Sequence, residues 1–250
     1  MLTACSVRRC LFLLMITPNT LYGRVGAILS ALIVAACFIG FTLHHNVYAG
    51  IPRRDFFWYY TNLSNLLVAL YFSFGAPFFY AHPPLRRFIP LTEFSVTMAI
   101  MLTHAVFHLI IYPGVRQQVR CAMRCAKNKM LAANNLMVHY VVPLLVLLYY
   151  LLCSPGKQTV SFLAAPLWLL FPLLYLLVIF VHAGMGRVIP GDERRYPYPF
   201  IDVQLLGLRR VVLSCSVLFL ISVAASVSLL CILRGLYAIF GGSKPLILVG

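Results

Sequence analysis

Acidic residues are scarce in this chain. Asp and Glu number 5 in 250 residues, and charged residues of either sign make up only 10%. A soluble domain of this length covers itself with charge, so this balance excludes one. An internal repeat is also missing. The apolar stretches share no motif, and no two halves match as the inverted repeats of a transporter would. No HExxH-type motif is present, no second ligand pair with zinc spacing accompanies Cys121 and Cys125, and nothing calls for a cofactor. The eight cysteines form no even framework. Cys37, Cys153, Cys215 and Cys231 fall in apolar runs as packing residues, and Cys121 and Cys125 lie four apart in a basic connector.

What remains is apolar: 62% of residues are hydrophobic. The 20 Lys and Arg give a net charge of +15. In a soluble protein that excess would point to nucleic acid. Here the basic residues occupy short connectors between apolar runs. That placement reads as a topology signal and as contact with membrane lipid headgroups, not as nucleic-acid binding.

A membrane span needs about 20 apolar residues, and six stretches qualify. They run over Arg24 to His45, Phe56 to Tyr80, Leu91 to Tyr112, Leu131 to Cys153, Ser161 to His182 and Leu208 to Leu233. The expected fold is all-α, a six-helix transmembrane bundle over residues 22–236. Residues 1–21 read as an interfacial leader, because the apolar run after Arg8 and Arg9 is too short to span. Residues 237–250, with Gly241, Gly242 and Pro245, read as a C-terminal tail. The expected location is the cell membrane, as a multi-pass protein. Connectors one, three and five hold twelve Lys and Arg against eight on the other side, so the positive-inside rule favours those odd connectors as cytoplasmic.

Polar residues inside the spans are where chemistry is to be sought, because polar groups in hydrocarbon are costly without partners. The stretch FFWYYTNLSNLLVAL begins with five aromatics and then places Thr61, Asn62, Ser64 and Asn65 in an apolar run. At 100° per residue the four share one arc of about 160° and project together. Six of the seven histidines lie toward the odd-connector face. His139 is the deepest, about 12 Å inward at 1.5 Å per residue. Pro143 follows His139 at i+4 and removes the N–H that its carbonyl would bond, so a bent helix with a bare acceptor is expected there. Asn135, at i−4, shares that face. Before the last span, RRYPYPFIDVQ breaks any helix. It brings Asp202 to the same membrane side, where it could orient an imidazole.

A hydroxyl and a histidine converging in a dry pocket suit nucleophilic attack on an acyl carbonyl. Thr61 and Ser64 are rival nucleophiles, and Asn62 or Asn65 could donate to the oxyanion. A site near the headgroups suits a lipid ester. Two other readings of the same residues are a His104, His108 and His139 metal site and a non-catalytic pocket for a lipid or small ligand.

Three landmarks, FFWYYTNLSNLL, HYVVPLL and YPYPFID, resemble the bacterial Pr-six-Pr membrane protein family. More distantly they are similar to the androgen-induced-gene family of membrane threonine hydrolases, which cleave fatty acid esters of hydroxy fatty acids. That resemblance implies six spans, Thr61 as nucleophile and His139 as its base.

Overall fold

The structure is a computed structural model, and it describes residues 21–47, 55–113, 126–191 and 193–240. The leader up to residue 20, Cys121 and Cys125, and the tail beyond residue 240 lie outside the described residues. Six helices are long and apolar enough to cross a bilayer, and no strand occurs among the described residues. The protein is an all-α, multi-pass integral membrane protein. We label the spans α1 (Leu21–Val47), α2 (Tyr60–Ala81), α3 (Ile89–Val106, continued by Phe107–Ile111), α4 (Ala126–Leu136 through Met137–Val141 to Val142–Cys153), α5 (Leu170–Gly184) and α6 (Leu208–Phe240).

Four of these boundaries differ most from expectation; α4 starts at Ala126, five residues before the expected Leu131. Phe56–Trp58 is a separate 3-10 turn, Tyr59 is extended, and α2 starts only at Tyr60. Side-chain donors take the carbonyls there: Asn62 Nδ2 reaches Phe56 O at 2.9 Å and Tyr175 Oη reaches Trp58 O at 2.9 Å. The fifth span begins as a 3-10 turn, Ala165–Leu169, which carries Pro166. The sixth continues through Phe240, past Leu233 and four residues into the expected tail. From Leu208 no proline stands before Pro245, and Gly235 alone does not end the helix. Arg234 steadies that last stretch, donating to Val160 O at 2.6 Å and lying 3.9 Å over the Phe162 ring.

Proline writes a second feature into the spans. Three π-turns interrupt them, at Tyr71–Gly75, Phe107–Ile111 and Met137–Val141. Each is followed, after one intervening residue, by a proline: Pro77, Pro113 and Pro143. A proline ring in a helix clashes with the carbonyl four residues earlier and offers that carbonyl no N–H. Widening the preceding turn to i→i+5 bonding relieves the clash. Accordingly Ala76, Tyr112 and Val142 donate their N–H to the carbonyls of Tyr71, Phe107 and Met137.

The helices pack as a four-helix core, α1 to α4, with α5 and α6 on one flank. One apolar cluster joins α1, α2, α3 and α4 through Ile33, Cys37, Val68, Ile100, Val142 and Val146. Gly40 allows α1 to approach α4 closely, because a Cβ there would lie 2.9 Å from Val138 Cγ1. Such small-residue contacts replace the hydrophobic drive that lipid removes. A second cluster holds α6 to α3 and α4, and Trp168 Nε1 donates to Ser226 Oγ at 2.7 Å across it.

Candidate functional site

The first turn of α2 holds Thr61. The backbone N–H groups of that turn have no partner within the helix. Thr61 N–H donates instead to Tyr198 Oη at 3.4 Å, and Thr61 Oγ1 lies 3.5 Å from the same oxygen. Tyr198 comes from the YPYPFID segment, whose Pro199–Ile201 turn packs against α5 and the start of α2. Burial holds the Tyr198 phenol above its ordinary value, against the lowering effect of its bonds to Thr61. It therefore remains a neutral donor at physiological pH.

Opposite stands His139, at the centre of the Met137–Val141 π-turn and only 7% exposed. Its ring stacks on Phe107, from the π-turn of α3, with centroids 3.8 Å apart and an interplanar angle of 11°. Nδ1 is buried with no hydrogen-bond partner, while the ring approaches the Thr103 backbone.

Thr61 and His139 line one cavity of about 60 Å³, together with Thr103, Phe107, Tyr175 and Tyr198. The remaining wall is apolar. A cleft of about 370 Å³ adjoins it across Tyr175, bounded by Phe57, Trp58, Leu63, Leu174 and Val178. The small chamber has room for a polar group the size of an ester; the cleft is lined for hydrocarbon. Thr61 Oγ1 bonds Tyr198 and not His139.

The other expected residues have different tasks. Ser64 is fully buried and does not line the cavity; it donates to Thr61 O at 3.0 Å and lies 2.7 Å from Thr103 Oγ1. The Asn62 amide is committed to Phe56 O. Asn65 Nδ2 donates to Thr61 O at 2.8 Å and crosses to Val138 O on α4 at 3.2 Å. Neither Asn62 nor Asn65, one of which was expected to donate to the oxyanion, is among the residues that line the cavity. Asp202 is engaged with backbone. Its Oδ1 accepts from Gln204 N at 2.9 Å and Leu205 N at 3.1 Å, capping the short helix Val203–Leu206. Asn135 is half-buried and away from the cavity, whereas Asn134, one residue earlier, is buried. The π-turn explains that shift. An extra residue per turn moves the face shared with His139 from i−4 toward i−5.

The bare acceptor expected beside Pro143 is occupied. His104 Nδ1 lies 2.7 Å from the His139 carbonyl, so Nδ1 carries the proton that bonds it. Val142 N–H is already given to Met137 O, and Pro143 has none, so Val138 O is orphaned too; Asn65 caps it. Polar side chains of α2 and α3 thus satisfy the two carbonyls that the proline exposes. His108 Nδ1 bonds Tyr140 Oη at 3.0 Å. Among the described residues no group of three His, Cys, Asp or Glu could hold a metal ion.

Sequence reasoning did not single out Tyr198 or Thr103. Tyr198 had a signal, since the YPYPFID segment was marked as helix-breaking at this membrane face. Thr103 is one threonine in an apolar run, and nothing local distinguishes it. No family model matches this chain, and no curated protein or solved structure matches it. The fold and the cavity define a six-helix integral membrane protein with a buried hydroxyl–imidazole chamber.

Proposed function

We propose that the chain is an intramembrane hydrolase of fatty acyl esters in the cell membrane, with Thr61 as nucleophile and His139 as base. One observation carries this reading: a hydroxyl at a helix N-terminus and a buried imidazole line the same small chamber. The resemblance of three short motifs to membrane threonine hydrolases supports it.

The chemistry follows from the groups. Thr61 Oγ1 bonds to the acyl carbon while the His139 imidazole takes its proton. The C–O bond to the alcohol then breaks, and the leaving oxygen receives that proton from the imidazolium. Water attacks the acyl-threonine, again giving its proton to His139, and the carboxylic acid leaves as Thr61 is restored. Tyr198 Oη, already beside Thr61, is the donor available to the developing oxyanion. Ser64, tied to Thr61 O and Thr103, has no such access. The acyl chain lies in the adjoining cleft.

A second reading has its own support. The Thr61 hydroxyl is engaged with Tyr198 and not with the imidazole, as suits a pocket that binds a lipid or small ligand without cleaving it.

An active-site-directed fluorophosphonate separates the two. Full-length protein in nanodiscs is expected to label covalently at Thr61. Thr61→Ala is expected to lose labelling, and His139→Gln to slow it by about 10²-fold or more. Wild-type protein that stays unlabelled while binding a fluorescent fatty ester would support the pocket without catalysis.

A further inference from the structure

A second polar cluster lies near the membrane face opposite the cavity. Glu93 is four residues into α3, about 6 Å inward, and only 2% exposed. Its Oε1 accepts from Tyr149 Oη at 3.2 Å and from Tyr80 Oη at 3.3 Å. Its Oε2 is buried with no partner, and so is Ser154 Oγ. Ser154 stands where α4 ends and approaches the Glu93 carboxyl without closing a hydrogen bond to it.

The neighbouring groups decide the charge. Tyr71 and Tyr80 face Glu93 from α2, and Tyr149, Tyr150 and Cys153 from α4. Lys157, on the connector after α4, is the cation that acts on it. Lys157 makes no ion pair with Glu93; its Nζ donates to Leu151 O. Burial holds the Lys157 ammonium below the ordinary lysine value. An ionised carboxyl would therefore be a membrane-buried charge without a paired cation, which is strongly disfavoured. A proton on Oε2 removes the charge. Donated to Ser154 Oγ, it also gives both orphaned oxygens a partner after a small rotation.

We infer that Glu93 is an intramembrane proton-binding site, holding its proton on Oε2 toward Ser154 Oγ. This site shares no residue with the Thr61–His139 chamber and stands whether or not that chamber is catalytic.

The composition makes the test clean, because Glu93 and Glu193 are the only glutamates in the chain. Full-length protein carrying side-chain ¹³C-carboxyl glutamate, in nanodiscs at neutral pH, is studied by infrared spectroscopy. An isotope-shifted carboxylic-acid C=O stretch is expected, distinct from the carboxylate bands of exposed Glu193. Glu93→Gln should abolish it, Glu193→Gln should leave it, and Ser154→Ala should shift its frequency. If Glu93→Gln does not fold, the Glu193→Gln sample makes the assignment alone, since one labelled glutamate remains. Only carboxylate bands in that sample would overturn the inference. So would a C=O stretch that Ser154→Ala leaves unmoved.

Discussion

The capping of α4 by its neighbours yields a quantitative prediction. His104→Leu removes the donor to His139 O, which Pro143 has already deprived of its helix partner. An interhelical hydrogen bond in a membrane is worth about 0.6–1.7 kcal/mol. A buried acceptor left bare costs about 1–3 kcal/mol. His104→Leu alone should therefore destabilise the bundle by about 1–2 kcal/mol. Pro143→Ala restores an N–H at residue 143 and gives the His139 carbonyl its i→i+4 partner. In that background His104→Leu leaves no bare acceptor and should cost about 0.5 kcal/mol. The expected coupling is about 1 kcal/mol, roughly a fivefold change in the unfolding equilibrium. Equilibrium unfolding in mixed micelles measures all four corners of the cycle. Additive costs would refute the reasoning, because they would mean that the proline does not create the demand that His104 meets.

The remaining predictions concern packing and the Tyr-Pro segment. Gly40→Val should destabilise by about 1–3 kcal/mol through overpacking, and by less in a Val138→Ala background, since Val138 Cγ1 is the atom a Cβ would strike; thermal unfolding of both pairs checks this. Asp202→Ala should cost about 1 kcal/mol of stability through loss of a cap and leave labelling of Thr61 unchanged. Tyr198→Phe should do the reverse, slowing labelling by about 10²-fold with little change in melting temperature. A labelling defect in Asp202→Ala would restore the orienting role that its capping bonds argue against.

Much of the framework was legible in the chain. Six apolar runs of spanning length became six helices, because in hydrocarbon the backbone has no water to bond and must satisfy itself. The polar arc on α2 was legible for the same reason. Asn62, Ser64 and Asn65 face the bundle and are buried there. The consequence of Pro143 could also be read locally, since it needs only the missing N–H. What local pattern could not give was the register of the polar faces. The π-turns before Pro77, Pro113 and Pro143 each rotate the preceding helix, so Asn134 and not Asn135 turns inward.

The sequence by itself determined the fold class, the placement of spans and the existence of an unsatisfied carbonyl near His139, all of which follow from composition and covalent geometry. Only the tertiary structure decided which polar group meets which. Asn65 and His104 could have been catalytic or structural by sequence; contact with the Val138 and His139 carbonyls makes them structural. Tyr198 reaches Thr61 across 137 residues, and Tyr80 and Tyr149 converge on Glu93 from two other helices. Such pairings depend on helix rotation and on the path of the Tyr-Pro segment. Prolines and the Tyr-Pro steps mark where these features occur, but which partners meet is set by packing between elements far apart in the chain.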